Sequence, residues 1–240
     1  MQDVPAAAIT ALFAPERPGP MIHPHIIASG VGRCLADRVN DPRTALAALP
    51  GGNVACRGEP VAVPGLTGLV EAPTAWVPAL REIAEVGVWD RIIAVLPDAA
   101  ESTPGHPVRR LVASDAAVLE GLDPSIAWIS ETWGGHAGLA ASETAWVAVE
   151  DGRAVAVAAA FFVGRVYEDV GVATQPGYRG RGFGTACAAA VVADIRTCGR
   201  RPSWTTSPDN GGSRGIAARL GFVHERDDVL YAVGVPVPTA

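Results

Sequence analysis

Val172-Ala-Thr-Gln-Pro-Gly-Tyr-Arg-Gly-Arg-Gly-Phe-Gly-Thr185 is the stretch on which the reading of this chain turns. Val166 to Thr174 has the β-branched, apolar character of a strand, and about Gly184 to Thr197 has the alanine-rich spacing of a helix. Between them lies a turn through Gly180, Gly182 and Gly184. The first amides of a helix have no intrahelical acceptor and carry a partial positive charge, so such a helix start binds phosphate without a lysine. Glycine lets the backbone come close to the ligand because no Cβ intervenes.

Two familiar phosphate loops do not fit. A P-loop needs G-x-x-x-x-G-K-[ST], and the chain contains no lysine. A dinucleotide loop needs G-x-G-x-x-G and an acid about 20 residues on; the glycines here have another frame, and Asp194 comes too early.

At 240 residues, 49% hydrophobic, the chain is large enough for a substantial core. Its longest apolar run, Ala154 to Gly164, is about half the roughly 20 residues a membrane helix needs, and Arg153 and Arg165 flank it. The N-terminus has no basic segment ahead of its apolar stretch, so the expected location is the cytosol. Cys34, Cys56, Cys187 and Cys198 are scattered without a C-x-x-C pair, which predicts free thiols. The H-x-H of His23 and His25 is too weak a pattern for a metal, and no metal site is expected. A net charge of −6 argues against nucleic acid and anionic membranes as partners. Yet from Gly164 to Gly221 eight arginines face four acids, which suits a small polyanion.

Pro97-Asp-Ala-Ala-Glu-Ser-Thr-Pro-Gly-His-Pro107 is turn-prone and marks a boundary between residues 1–104, a small α/β unit of unknown role, and 105–240. In the first part a helix is expected over Ala75 to Val86, with strands at Val54 to Cys56, Val61 to Val63 and Arg91 to Leu96. In the second, Val108 to Val112 is a strand, and Ser114 and Asp123 cap helices, the latter running toward Trp133. Ala145 to Glu150 and Arg153 to Val163 form a hairpin through Asp151-Gly152. Beyond the glycine turn come strands at Ser203 to Thr206, Phe222 to His224 and Val229 to Val233, and a helix at Ser213 to Leu220. The resulting order is β-α-α-β-β-β-α-β-α-β.

Thr174-x-Pro-x-Tyr-Arg-Gly-Arg-Gly-Phe-Gly-Thr resembles the pyrophosphate motif of the GNAT acyltransferases, with Thr174 where valine is usual. Asn210-Gly-Gly-Ser213-x-x-Ile-Ala217-x-Arg-Leu-Gly221-Phe222 resembles that family's second motif, at the expected separation. The resemblance spans about residues 107 to 236. It implies an α/β (α+β) fold: a GNAT-like, mixed and mainly antiparallel sheet flanked by helices, preceded here by the smaller N-terminal α/β domain. It also implies acetyl-CoA as cofactor, with Val172, Ala173 and Thr174 on the pantetheine arm. The amides of Arg179, Gly180, Arg181, Gly182, Phe183, Gly184 and Thr185 would hold the pyrophosphate, and Asn210 and Ser213 would lie against the cofactor. Ala186-Cys-Ala-Ala-Ala with Pro202-Ser203-Trp204 is similar to the subgroup that includes zwittermicin-resistance acetyltransferases.

The chemistry so implied is acetyl transfer to an amine of a small molecule by direct attack in a ternary complex, with a homodimer as the expected assembly. A non-catalytic acyl-CoA-binding module and a protein or peptide N-acetyltransferase are the alternatives. Glu168 is the expected base and Asp169 the second candidate; alternation puts them on opposite faces of their strand. Both being solvated or paired with Arg165 is the structural alternative. Ala217 stands where many members carry a general-acid tyrosine, which leaves Tyr178, Ser213, a water or an unaided thiolate. Cys187 reads as a packed thiol rather than a nucleophile. Trp128, Glu131, Trp133 and His136 are acceptor-side candidates, and so is Tyr231, each with a core role as the alternative.

Overall fold

The computed structural model describes residues 1–97 and 105–239. In chain order its elements are β1 (Gln2–Val4), α1 (Ile22–Ser29), β2 (Arg33–Ala36), β3 (Thr44–Ala48), β4 (Asn53–Gly58), β5 (Gly68–Glu71), α2 (Val77–Arg81) and β6 (Val86–Val95). Then follow β7 (Arg109–Arg110), α3 (Ala116–Leu119), α4 (His136–Ala141), β8 (Ala145–Glu150), β9 (Arg153–Val163) and β10 (Tyr167–Thr174). The chain closes with α5 (Phe183–Thr197), β11 (Arg201–Thr206), α6 (Gly211–Arg219) and β12 (Val223–Val233). Short 3-10 segments include Ala6–Phe13 and Pro124–Trp133. No helix among the described residues is long and apolar enough to cross a membrane.

The strands form one mixed, mainly antiparallel sheet in the order β1-β2-β3-β4-β5-β12-β6-β11-β10-β9-β8-β7. Its only parallel neighbours among the described residues are β4 with β5 and β10 with β11. The order is symmetric about its centre: β1 to β5 mirror β7 to β11, and each half takes the last strand of the other. β6, from the first hundred residues, therefore lies between β11 and β12 and pairs antiparallel with both. The chain boundary expected at residues 104 and 105 falls at the edge of 98–104, which lie outside the described residues.

Local chemistry accounts for the second half. Asp151 and Gly152 both have positive φ, 50° and 76°, the conformation of a two-residue hairpin turn that pairs Glu150 with Arg153, and a bulge at Ala148/Val149 shifts the register beyond it. β9 is alanine-rich and buried on both faces, so α5 with its own Ala186, Ala188 and Ala189 packs closely on it. α3, α4 and the 3-10 segment Pro124–Trp133 cover the other face through Leu119, Ile126, Ile129 and Leu139. Asp123 caps that segment, accepting from Ser125 N at 2.9 Å, but the backbone winds as 3-10 rather than α. Within the N-terminal half α1 covers the matching face, whereas no helix corresponds to α5: residues 59–67 join β4 to β5 directly.

Several expected elements differ. The strands expected at Phe222 to His224 and Val229 to Val233 merge into one, β12, which starts at Val223, because a bulge at His224/Arg226 absorbs the polar interruption. The helix expected over Ala75 to Val86 is confined to Thr74–Trp76 and α2, since Val86 already belongs to β6. Val61 to Val63 is not a strand; it is flanked by Pro60 and Pro64, which have no N–H to give a ladder. Val108 to Val112 shortens to Arg109–Arg110.

Candidate active site

β10 pairs with β9 along its whole length, but with β11 only through Tyr167↔Arg201, Glu168↔Pro202 and Asp169↔Ser203. Beyond Asp169 the two parallel strands part. Val170 to Thr174 and Trp204 to Thr206 thus face each other across a V with no ladder between them. The extra residue of the bulge at this point is on β9 rather than β10: Asp169 lies opposite Phe162 and Val170 opposite Ala160, leaving Phe161 over.

At the mouth of the V the chain passes through Pro176–Tyr178 into the glycine turn and α5. Gly180 and Gly182 have φ of +75° and +91°, which side chains with a Cβ rarely adopt. Gly182 is the N-cap and offers no side-chain cap, so the amides of Phe183, Gly184 and Thr185 have no acceptor from the helix. Gly184 lies against β10, where a Cβ would stand 2.6 Å from Thr174 Oγ1 and 3.3 Å from Val172 Cγ2. Arg179 donates through Nε to Thr174 O (3.4 Å), and Arg181 pairs with Glu150 and lies over the Tyr178 and Phe183 rings. His106, which no sequence motif marks, joins the turn. Its ring lies 4.5 Å from that of Phe183, with Nε2 3.0 Å from where a Gly182 Cβ would be.

α6 closes the same face. Asn210 Oδ1 accepts from Ser213 N (2.9 Å) as its N-cap, and Ser213 Oγ accepts from Trp204 Nε1 (2.9 Å). Ala217 is buried one turn further on. Val172 packs toward α5, and Ala173 is buried on the other side of the sheet.

The two carboxylates at the closed end of the V differ sharply. Glu168 pairs with Arg200. Burial raises its pKa, and the Arg200 hydrogen bond and charge oppose the rise. Asp169 is on the opposite face, that of Ser203 and Thr205, whose hydroxyls donate to its Oδ1 at 2.7 and 3.0 Å. Burial pushes the Asp169 carboxyl up to about 6, against the two hydroxyls and the charges of Arg91 and Arg226. Arg165 pairs with neither.

A strap from the N-terminus lies over this face. Glu16 accepts from the amides of Arg165, Val166 and Tyr167 at 2.8 to 2.9 Å, Pro18 O accepts from Arg226 Nη2 at 2.8 Å, and Gly19 N donates to Ser203 Oγ at 3.4 Å. Trp128, 37% exposed, stands edge-on to Phe161 at 5.4 Å. Trp133 instead donates to Ala160 O and packs on His25, His136 bonds Ser130, and Tyr231 is buried in the N-terminal half. Glu131 is exposed, its side chain against Gly51, and partial desolvation of the carboxyl raises its pKa.

His23 and His25 are buried in α1 with backbone partners: His23 bonds Ala6 O, and His25 bonds Thr132 O and Val163 N. Among the described residues no group of His, Cys, Asp or Glu is placed to hold a metal ion. Cys34, Cys56 and Cys187 are buried, with thiols pushed up to about 11, 12 and 12 by burial, whereas Cys198 is exposed. A thiol-specific chromogenic reagent is therefore expected to titrate one cysteine per native chain and all four after unfolding. Fast reaction of two or more in the native state would contradict this packing.

A V of unpaired backbone, leading to a turn whose glycines leave free amides and no Cβ, fits an extended arm ending in a pyrophosphate. Comparison with known proteins gives the family. A family model described as GNAT acetyltransferase matches residues 124–231. The chain is 42% identical over 195 residues, 76% of its own length and 82% of the relative's, to an "Uncharacterized N-acetyltransferase in mutA 5'region" of Streptomyces virginiae. Among solved structures, a GCN5-related N-acetyltransferase-like protein from Streptococcus suis superposes with a TM-score of 0.73 at 18% identity, covering 95% of this chain and 97% of that one. A tandem GNAT protein from the clavulanic acid biosynthesis pathway gives 0.56 at 13% identity, over 97% and 94% of the two chains. At those identities the two structures share the fold, while the Streptomyces relative carries the family with it. This chain belongs to the GNAT N-acetyltransferases, enzymes that draw on acetyl-CoA.

Proposed function

We propose that the protein acetylates a primary amine of a small molecule, with Asp169 as the base. The observation that carries this is the position of Asp169 at the closed end of the V, on the sheet face opposite α5. Bound acetyl-CoA supplies an acetyl group activated as a thioester. The backbone of Val172 to Thr174 would align the pantetheine arm, and the amides from Arg179 to Thr185 would take the pyrophosphate. Asp169 holds one oxygen on Ser203 and Thr205; among the described residues no donor reaches Oδ2, which is left to take a proton from the attacking ammonium or amine. Glu168 is committed to Arg200 and serves to fix the end of β10.

Ser213 Oγ already accepts from Trp204, so its own proton is free for the departing thiolate. That assigns to α6 the role left open by Ala217. The N-terminal half supplies the acceptor-side wall: the strap through Pro18 and Gly19 narrows the approach to Ser203 and Asp169, which favours a small acceptor over a protein segment. The likeness to the zwittermicin-resistance subgroup does not select among small amines.

Incubation with acetyl-CoA and a panel of small amines and peptides tests this reading, scored by CoA thiol release and by mass of the product. Acetylation of small amines with little or no peptide product is expected. Tight CoA binding with no turnover on any amine would favour the binding-module alternative, and preferential peptide acetylation the protein-directed one.

A further inference from the structure

The arginines around the junction of the halves are mostly engaged. Arg57 and Arg17 hold Glu71 at 2.6 and 3.0 Å, Arg226 holds Asp228 at 2.9 Å, and Arg200 holds Glu168. Arg91 differs. Among the described residues no carboxylate pairs with it and no acceptor meets it, and its Nε is sealed from solvent with no hydrogen-bond partner. A buried donor left in this state is costly, more so when charged.

Its placement is fixed by register. Ile93 lies opposite Thr205, and Arg91, two residues along β6, projects on the same face as Ile93, Thr205 and Asp169. The guanidinium is laid on the Trp89 indole, 3.9 Å from the ring centroid. Such stacking holds the plane and leaves the edge N–H groups to meet a planar, two-oxygen anion. Asp169 is the leading charge acting on Arg91, followed by Asp209. A cleft of about 620 Å³ opens against Arg91, Ile92 and Pro208, with Asp90, Asp227 and Asp228 also on its wall. None of these acids forms an ion pair with Arg91: Asp228, directly across the ladder from it, is held instead by Arg226 and Arg17.

We infer that Arg91 is the docking point for a carboxylate on the acceptor, so that the acceptor is an amine of amino-acid type, its amine at Asp169 and its carboxylate on the Arg91 fork. This rests on the small-amine reading above and narrows it.

The test pairs the common L-amino acids with their carboxamides as acceptors, for the wild type, Arg91→Met and Arg91→Lys. For the best acid the expected kcat/KM is at least about tenfold above that of its amide. Arg91→Met should bring that ratio within about twofold, and Arg91→Lys should restore part of it. Equal or better use of the amides, or a loss in Arg91→Met that leaves the ratio unchanged, would overturn the inference. Calorimetry of N-acetyl amino acids against CoA-loaded protein separates the two layers. Arg91-dependent binding without turnover of any amine would sustain the carboxylate site and reject the small-amine acetyltransferase; no binding and no turnover would reject both.

Discussion

Asp169→Asn is expected to lower kcat/KM about 10²- to 10³-fold, within the range that a positioned general base contributes. The amide keeps an oxygen for Ser203 and Thr205, whose hydroxyls now donate to Asp169 Oδ1, but cannot take the proton. In the wild type, kcat/KM should fall as pH drops through about 6, where the buried Asp169 carboxylate becomes protonated. Stability should move the other way. The folded-state pKa is raised from 3.8 to about 6, so ionised Asp169 disfavours folding above that pH, and the penalty is relieved as pH falls. Asp169→Asn should therefore gain up to about 3 kcal/mol at neutral pH, from a shift of about two pKa units. An inactive enzyme that melts at or above the wild-type temperature has lost chemistry, not structure. Glu168→Gln is the contrast: burial outweighs the Arg200 partner and raises the Glu168 pKa too, so neutralising it is expected to cost no stability at neutral pH, and kcat/KM should stay within about fivefold of wild type. Wild-type-like activity in Asp169→Asn, or collapse only in Glu168→Gln, would reassign the base.

Gly182→Val is expected to weaken acetyl-CoA binding at least about tenfold by calorimetry. Position 182 has φ of +91°, a conformation that costs a β-branched residue about 1–2 kcal/mol or more, and the new Cβ would stand 3.0 Å from His106 Nε2. Relief of that strain rotates the peptide that aims the first α5 amides. Gly177→Ala is the control. Gly177 is in the preceding 3-10 turn with open space around its would-be Cβ, and affinity there should stay within about twofold. Equal affinity for Gly182→Val and wild type would remove the turn from the cofactor site.

The cofactor half of the site was legible because it is made of local sequence. Strand, glycine turn and helix are contiguous from Val170 to Ala190, and Asp151-Gly152 specifies its hairpin by the φ values only such residues accept readily. The acceptor half is made of long-range pairing, and the sequence carries little signal for it. Ser203 and Thr205 are unremarkable strand residues until β10 and β11 are laid parallel, which brings their hydroxyls to Asp169 and turns Glu168 toward Arg200. Arg91 reads as the polar start of a buried strand. Its importance depends on β6 leaving the N-terminal half to lie between β11 and β12, an exchange that no local periodicity encodes. The strap through Glu16, Pro18 and Gly19 is similarly hidden, for it contacts residues about 150 to 210 positions away.

A crystal structure with acetyl-CoA bound is the most direct measurement of the central claim. The pyrophosphate should lie on the amides between Arg179 and Thr185, with the pantetheine arm between β10 and β11. The thioester should end at Asp169 on the face of Ser203 and Thr205. A cofactor lodged outside the V, or a thioester whose nearest carboxylate is Glu168, would contradict the account.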